Sequence, residues 1–373
     1  MKISTYGEGE KPKINTNGHG QWELNYGNRL DNVNHKWKGT VSSSILIEDT
    51  EYLEIEGLEL TNDRKSATDT EQGKAYNDAY AMDRTGVAGV AKDNGTVDHI
   101  VLNDLYIHDV TGNVYNKHMT NGGIYFIVAK PTNEGETGIA RYNDVQIRNC
   151  SLNKVNRWGI AVGYTYQWGQ FETGELPDAT MAKYGSSNVV IENNYLNHVG
   201  GDAITTMYLD RPLIQYNVSE NAAEQINTTD YAQQQPRLDA NGKEIGKQDV
   251  GAGRVAAGIW PWKCKNAIFQ YNECFKTLNA ASGNGDGQLG MLTMVTEQTI
   301  STTTATEIPQ VPSCSVEEIL LTIHSVTISV RTKIWDHWTR QVTPEIVRFT
   351  TIRSISKKVS IPSGTEAMAM AVL

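Results

Sequence analysis

A short phrase, alternating apolar and polar residues and closing on Asn, returns through most of this chain and restricts its fold more than any other feature. Ile55-Glu56-Gly57-Leu58, Leu102-Asn103-Asp104-Leu105, Ile147-Arg148-Asn149-Cys150, Ile191-Glu192-Asn193-Asn194, Ile214-Gln215-Tyr216-Asn217 and Phe269-Gln270-Tyr271-Asn272 fill one equivalent slot. Their starts differ by 47, 45, 44, 23 and 55 residues. These intervals are near one or two units of about 22 to 25 residues, the period of a coil that turns once per repeat. Within a unit the alternation has period two, with Val145 and Ile147 set against Gln146 and Arg148. That is strand; a helix would place apolar residues three and four apart. A second strand follows each polar turn, at Gly123-Ile124-Tyr125-Phe126, Gly159-Ile160-Ala161-Val162, Asp202-Ala203-Ile204-Thr205 and Gly258-Ile259-Trp260-Pro261. Two or three short strands per coil, punctuated by Gly and Asn, predict an all-β chain wound as a right-handed parallel β-helix. Asn just after a strand tolerates left-handed backbone and can bond the Asn of the next coil. A sandwich also has short strands, but it does not bring one phrase back at a fixed multiple.

The phrase stops abruptly. From Leu289 to Leu373 there is no Asn and no Tyr, the only glycines are Gly290 and Gly364, and Thr, Ile, Val and Ser take over. A domain boundary normally passes through a Pro, Gly and Ser linker. Here the change falls inside Gly285-Asp286-Gly287-Gln288. Either a second domain is fused without a linker, or the same gene continues in another reading frame. The code table favours the frame change. When the third base of each codon is joined to the first two of the next, Thr299 to Thr306 permits Tyr-Gln-Tyr-Asn-Tyr-Ser-His. The stretch from Leu289 likewise permits Trp-Asp-Ala-Asp ahead of it. One base lost just after codon 288 suffices. The expected organisation is a β-helix domain over 1–288, beginning inside its parent protein, and a tail over 289–373 that does not follow the repeat and packs poorly.

Composition excludes several classes. The net charge is −10 and Lys and Arg form no stripe, which removes the electrostatic footprint of a nucleic-acid binder. No apolar run is long enough to span a membrane. Met1-Lys2-Ile3-Ser4-Thr5-Tyr6-Gly7 is strand-like rather than a secretion leader; independently of this segment, an extracellular or cell-surface location is expected for the parent protein. Abundant Gly and Tyr, 33 and 17 residues against 5 Phe, suit strands joined by tight turns. Of four cysteines, Cys314 lies in the tail, and Cys150, Cys264 and Cys274 occupy apolar or repeat positions. Without a Cys-x-x-Cys spacing they read as buried thiols, not a disulfide framework or a zinc site.

Over roughly 1–288 the pattern resembles the carbohydrate-active right-handed parallel β-helix proteins of the pectate-lyase-like superfold. Tyr6-Gly7-Glu8-Gly9-Glu10-Lys11-Pro12-Lys13-Ile14 looks like the first coil of many of them. Gly201-Asp202-Ala203-Ile204-Thr205-Thr206, Ala257-Gly258-Ile259-Trp260-Pro261-Trp262-Lys263 and Gly285-Asp286-Gly287-Gln288 are similar to glycosidases of the lacto-N-biosidase type. The resemblance implies a glycoside hydrolase acting on complex glycans, without a cofactor. It implies Asp286 as one catalytic carboxylate. Its partner would stand seven positions later, at the slot of Thr293, where the shifted frame permits Asp.

The residues themselves suggest where chemistry could sit. If Ile259 and Pro261 face inward, Trp260 and Trp262 face outward, and paired Trp on a rigid sheet offer flat faces to sugar rings. Trp158, Trp168, Tyr164 and Tyr166 come a coil or more earlier and read as cover for the core beside loops, with Trp158 a further substrate contact. Asp202 and Asp286 each follow Gly at a strand head, a position where Asp also serves turns. A retaining glycosidase needs two carboxyls about 5 Å apart, and strands of neighbouring coils lie about 4.8 Å apart. The alternative chemistry is a polysaccharide lyase, whose base would come from Lys263, Arg254, Arg157 or His198 and which would add Ca²⁺. No acidic cluster has calcium spacing, and Arg157 and Arg254 suit an acidic substrate group equally well. A non-catalytic glycan-binding β-helix is the third class. Insertions at 163–184 and 221–256 interrupt the repeat, and in solenoids such insertions often wall the binding groove. The expected partner is an oligo- or polysaccharide, met by a monomer.

Overall fold

The computed structural model describes residues 1–278 except 32–34, 64–69, 72–73, 76–81, 115–117, 119, 173–175, 226–235, 240–242 and 248–255. Beyond 278 it describes only the strands Gln298–Ile300, Thr303–Thr306, Ile323–Val326, Ile328–Trp335, Val342–Arg348 and Ile352–Ile355. The chain winds through three parallel sheets, coil upon coil, as a parallel β-helix. The first sheet runs through Leu53–Glu56, Thr96–Asn103, Arg141–Arg148, Val190–Glu192, Leu213–Gln215 and Ala267–Gln270. The second runs through Glu59–Asn62, Tyr106–Val110, Ser151–Val155, Tyr195–Val199, Val218–Glu220 and Asn272–Phe275. The third takes Lys38–Glu48, Asp83–Ala91, Gly122–Val128, Trp158–Thr165, Ile204–Met207 and Ile259–Trp262, with Gln21–Asn25 added antiparallel at its N-terminal edge.

The repeated phrase is the register of the first sheet. Ile55, Leu102, Ile147, Ile191, Ile214 and Phe269 pair in one file. They lie in the solenoid core with Ile107, Ile124, Ile160, Leu196 and Ile204. Each interval between them is therefore a single coil, and the expectation that the longer intervals hold two units is corrected. The coil from Ile191 to Ile214 shows that 23 residues suffice for all three strands. The longer coils gain length from longer strands, such as the 9 residues of Asp83–Ala91, and from insertions.

The corner after the first sheet divides two jobs that the sequence assigned to Asn alone. Gly57, Asp104, Asn149, Asn193, Tyr216 and Tyr271, two residues past the file, all have left-handed backbone, φ between 53° and 72°. The next residue points inward. From Asn194 onward it builds a buried ladder, with Asn194 Nδ2 donating to Asn217 Oδ1 and Asn217 Nδ2 donating to Asn272 Oδ1, both at 2.9 Å. Each also donates to a strand carbonyl, Asn217 to Ile191 at 2.8 Å, so the buried amides and the corner carbonyls are satisfied together.

Past Gln288, Gln298–Ile300 and Thr303–Thr306 add one parallel strand each to the first and second sheets. Val342–Arg348 and Ile352–Ile355 then pair antiparallel, which departs from the solenoid rule. Among the described residues the third sheet has no strand after Ile259–Trp262. Cys150, Cys264 and Cys274 are buried free thiols, as their positions suggested. No described helix is long and apolar enough to cross a membrane.

Candidate active site

The third sheet has two apolar faces. Ile124, Phe126, Ile160, Val162, Ile204 and Ile259 turn into the solenoid. Tyr125, Trp158, Ala161, Tyr164, Met207, Trp260 and the partly buried Trp262 turn outward and form a second cluster. Parity along the strand thus places the two Trp as expected, and Trp260 and Trp262 meet edge to face at 6.3 Å. The expectation that they stand exposed is corrected, because Trp260 is 5% exposed and Trp158 0%. Two segments cover this face. Tyr26 and Leu30 come from the N-terminal side, and Phe171, Leu176 and Met181 from the 163–184 insertion. The segments touch where the Trp168 indole donates to the Arg29 carbonyl at 2.9 Å.

Asp202 is fully buried at the head of Ile204–Met207. Its Oδ1 accepts from the Ala257 backbone N–H at 2.9 Å and from the Trp260 indole Nε1 at 2.8 Å. The carboxylate therefore ties its coil to the next and fixes the Trp260 ring, where the sequence suggested a turn residue or a catalytic acid. The preceding glycine has a steric cause: a Cβ on Gly201 would lie 2.1 Å from the Arg157 carbonyl oxygen.

Arg157, considered as a lyase base or a contact for an acidic substrate group, is fully buried with left-handed backbone, φ 70°. A non-glycine residue held there costs about 1 to 2 kcal/mol, which the surrounding fold must offset. Its guanidinium lies 5.1 Å from the Trp158 ring centre. Lys263, considered as a lyase base or substrate contact, is 5% exposed. Its Nζ donates to Glu172 of the insertion at 2.6 Å and sits 5.6 Å from the Trp262 ring. His198, the other base considered for a lyase, lies on the second sheet and pairs with Glu224 at 3.0 Å. Arg157, Trp158, Asp202, Trp260, Trp262 and Lys263 thus share one patch around the outer face of the third sheet. Asp286 and Arg254 lie outside the described residues.

Sequence reasoning missed a polar cluster above the same face. Asp31 and His35, from the covering segment, meet His118, which is 3% exposed. His118 stacks on Tyr164 with ring centres 4.0 Å apart, and the Tyr164 hydroxyl donates to Asp31. Burial works to raise the Asp31 carboxyl, but the His35 hydrogen bond and the charge of His118 outweigh it and hold the group well below the usual carboxylate range. Burial, with the nearby charge of Asp31 adding to it, pushes Tyr125 and Tyr208 up, so these phenols stay neutral. Nothing periodic marks positions 31, 35 and 118, and no local pattern could have joined them.

No protein-family model matches the chain. It is 46% identical over 316 residues to a lacto-N-biosidase of Bifidobacterium longum subsp. longum, the match covering 77% of this chain and 19% of that relative. The crystal structure of the GH136 lacto-N-biosidase from Eubacterium ramulus, native protein, is similar at a TM-score of 0.69 and 43% identity, over 82% of this chain and 46% of that one. Its selenomethionine derivative gives 0.69 and 40%, over 82% and 50%. The chain thus spans about a fifth of the curated relative and half or less of the solved chains.

Proposed function

We propose that this chain, similar in sequence and fold to lacto-N-biosidases, carries the glycan-cleaving face of a glycoside hydrolase of that type, interrupted just after Asp286. The substrate is a complex glycan bearing a lacto-N-biose unit. The observation that carries this reading is the convergence of Arg157, Trp158, Asp202, Trp260, Trp262 and Lys263 on one sheet face, across the three strands Trp158–Thr165, Ile204–Met207 and Ile259–Trp262.

Sugar rings have flat apolar faces and need aromatic walls; Trp262, the partly buried member of the pair, is the one placed to meet a ring, with the buried Trp260 packed behind it. Asp202 is a positioning residue, because its hydrogen bond holds the Trp260 ring. Asp286 is the catalytic carboxylate that this chain retains. A glycosidase of this kind needs a second carboxyl, about 5 Å away for retention of configuration. The slot for it is Thr293, where the shifted frame permits Asp. A lyase gains no support, since Lys263 is engaged by Glu172 and His198 lies on another sheet.

One observation supports the frame reading: the register runs on from Phe269 to Ile300 and from Asn272 to Thr303. The next ladder slot after Asn272 is thus Thr303, and the shifted frame permits Asn at that codon.

The test is release of lacto-N-biose from a chromogenic lacto-N-bioside by two proteins, the chain as it stands and the same gene with one base restored after codon 288 and read on to its new stop. The first is expected to be inactive and the second active, with activity abolished by Asp286→Asn. Activity of the chain as it stands, or full activity of the restored Asp286→Asn variant, would overturn the assignment.

A further inference from the structure

Above the outer face of the third sheet, three metal-ligating side chains converge from two distant parts of the chain. Asp31 and His35 stand four residues apart on the segment between Gln21–Asn25 and Lys38–Glu48, and His118 comes from the connection before Gly122–Val128. One ligand atom from each lies within 4.8 Å of the others. His35 Nδ1 is 3.0 Å and His118 Nε2 3.9 Å from Asp31 Oδ1. Ligands around a tetrahedral zinc, at about 2.0 to 2.2 Å from the ion, stand roughly 3.4 Å from one another, so shifts of about 1 Å would close this set.

We propose that Asp31, His35 and His118 form a binding site for a divalent transition metal of the Zn²⁺ class. Two imidazoles and one carboxylate match the nitrogen-rich donor set such ions prefer over the all-oxygen cages of Ca²⁺ or Mg²⁺. Three protein ligands leave a fourth position open. The supporting contacts are of the kind that orient metal ligands: the Tyr164 hydroxyl donates to Asp31, and the Tyr164 ring lies flat against His118. His35 meets His118 edge to face at 4.0 Å, so both rings are already held in one small volume. A bound ion would pin the segment carrying Asp31 and His35 onto the sheet face that bears Trp158 and Tyr164.

The experiment uses the full chain, freed of metal with a chelator, and titrates it with Zn²⁺ by calorimetry and with Co²⁺ by visible absorption. One equivalent is expected to bind, with Co²⁺ giving the absorption bands of a four- or five-coordinate site. Asp31→Asn, His35→Ala and His118→Ala are each expected to lower affinity by about tenfold or more. His99→Ala, at a histidine–carboxylate cluster on the first sheet, is expected to leave that equivalent in place. Circular dichroism confirms folding, and the conservative Asp31→Asn keeps the test decisive if His118→Ala does not fold. Absence of a stoichiometric site, or its retention in the folded Asp31→Asn and His35→Ala variants, would overturn the proposal. None of these readouts depends on glycan cleavage.

Discussion

A carboxylate that holds two donors of the following coil has a definite job, and Asp202 holds both the Trp260 indole and the Ala257 amide. Asp202→Ala leaves two buried N–H groups without that acceptor, so a loss of about 2 to 4 kcal/mol is expected in urea unfolding. A loss near zero would mean the indole finds another partner. At the surface, His99 has its affinity for protons raised, first by the hydrogen bond to Asp144 and further by Glu54, against a smaller opposing effect of burial. A raised value means that its contribution is fully present below the ordinary 6.5 and is lost as pH rises through the folded value. Asp144 is lowered despite its burial, by its bonds to Gln146 and His99, so its contribution is lost as pH falls through its folded value, below the ordinary 3.8. His99→Ala is therefore expected to lower the melting temperature at pH 5.5 and to change it much less at pH 9. An equal effect at both would contradict the ion pair. Single residues were the hardest scale to read from sequence. Type and parity located Trp260, but burial of Arg157, Lys263 and Trp158 depends on segments over a hundred residues away or on an insertion, such as Leu30 and Glu172.

At the scale of elements, the phrase that closes on Asn was legible because one coil repeats the environment of the last. Ile147, Ile191 and Ile214 stack because each occupies the same place in the winding. The division between the left-handed residue and the ladder residue was not legible, since Asn suits both tasks and only coordinates separate Asn193 from Asn194. Asn217 sits at the centre of the ladder, bonded on both sides. Asn217→Ala is expected to cost about 2 to 4 kcal/mol by chemical denaturation, more than one hydrogen bond because its neighbours lose partners too. The thiols give an independent check on packing. Burial pushes Cys150 up to about 12, Cys264 to about 11 and Cys274 to about 12. All three are expected to ignore a thiol reagent such as DTNB at pH 8 in the folded protein and to react on unfolding. Rapid labelling of any of them in the native state would contradict a closed core.

For the molecule as a whole, the solenoid is a stack that must be finished. In this chain the third sheet has no described strand beyond Ile259–Trp262, while the first and second sheets run on. The first and second sheets end on the antiparallel strands Ile352–Ile355 and Val342–Arg348, and an end strand offers unpaired backbone groups to another chain. The chain as it stands is expected to self-associate in light scattering, and the frame-restored protein to run as a monomer. The outer face of the third sheet was only half legible at this scale: the repeat predicted a ladder of outward residues, but the cluster of Asp31, His35 and His118 arises from loops that follow no period.

The central claim is that the glycan-cleaving site was cut between Asp286 and the slot of Thr293. The nucleotide sequence of codons 286–293, read on through codon 306, tests it most directly. The account predicts triplets that, with one base restored after codon 288, spell Ala-Trp-Asp-Ala-Asp and then return to the Tyr- and Asn-rich phrase, with Asn at codon 303. Codons that cannot spell that continuation would contradict it and make the Thr-rich tail a domain in its own right.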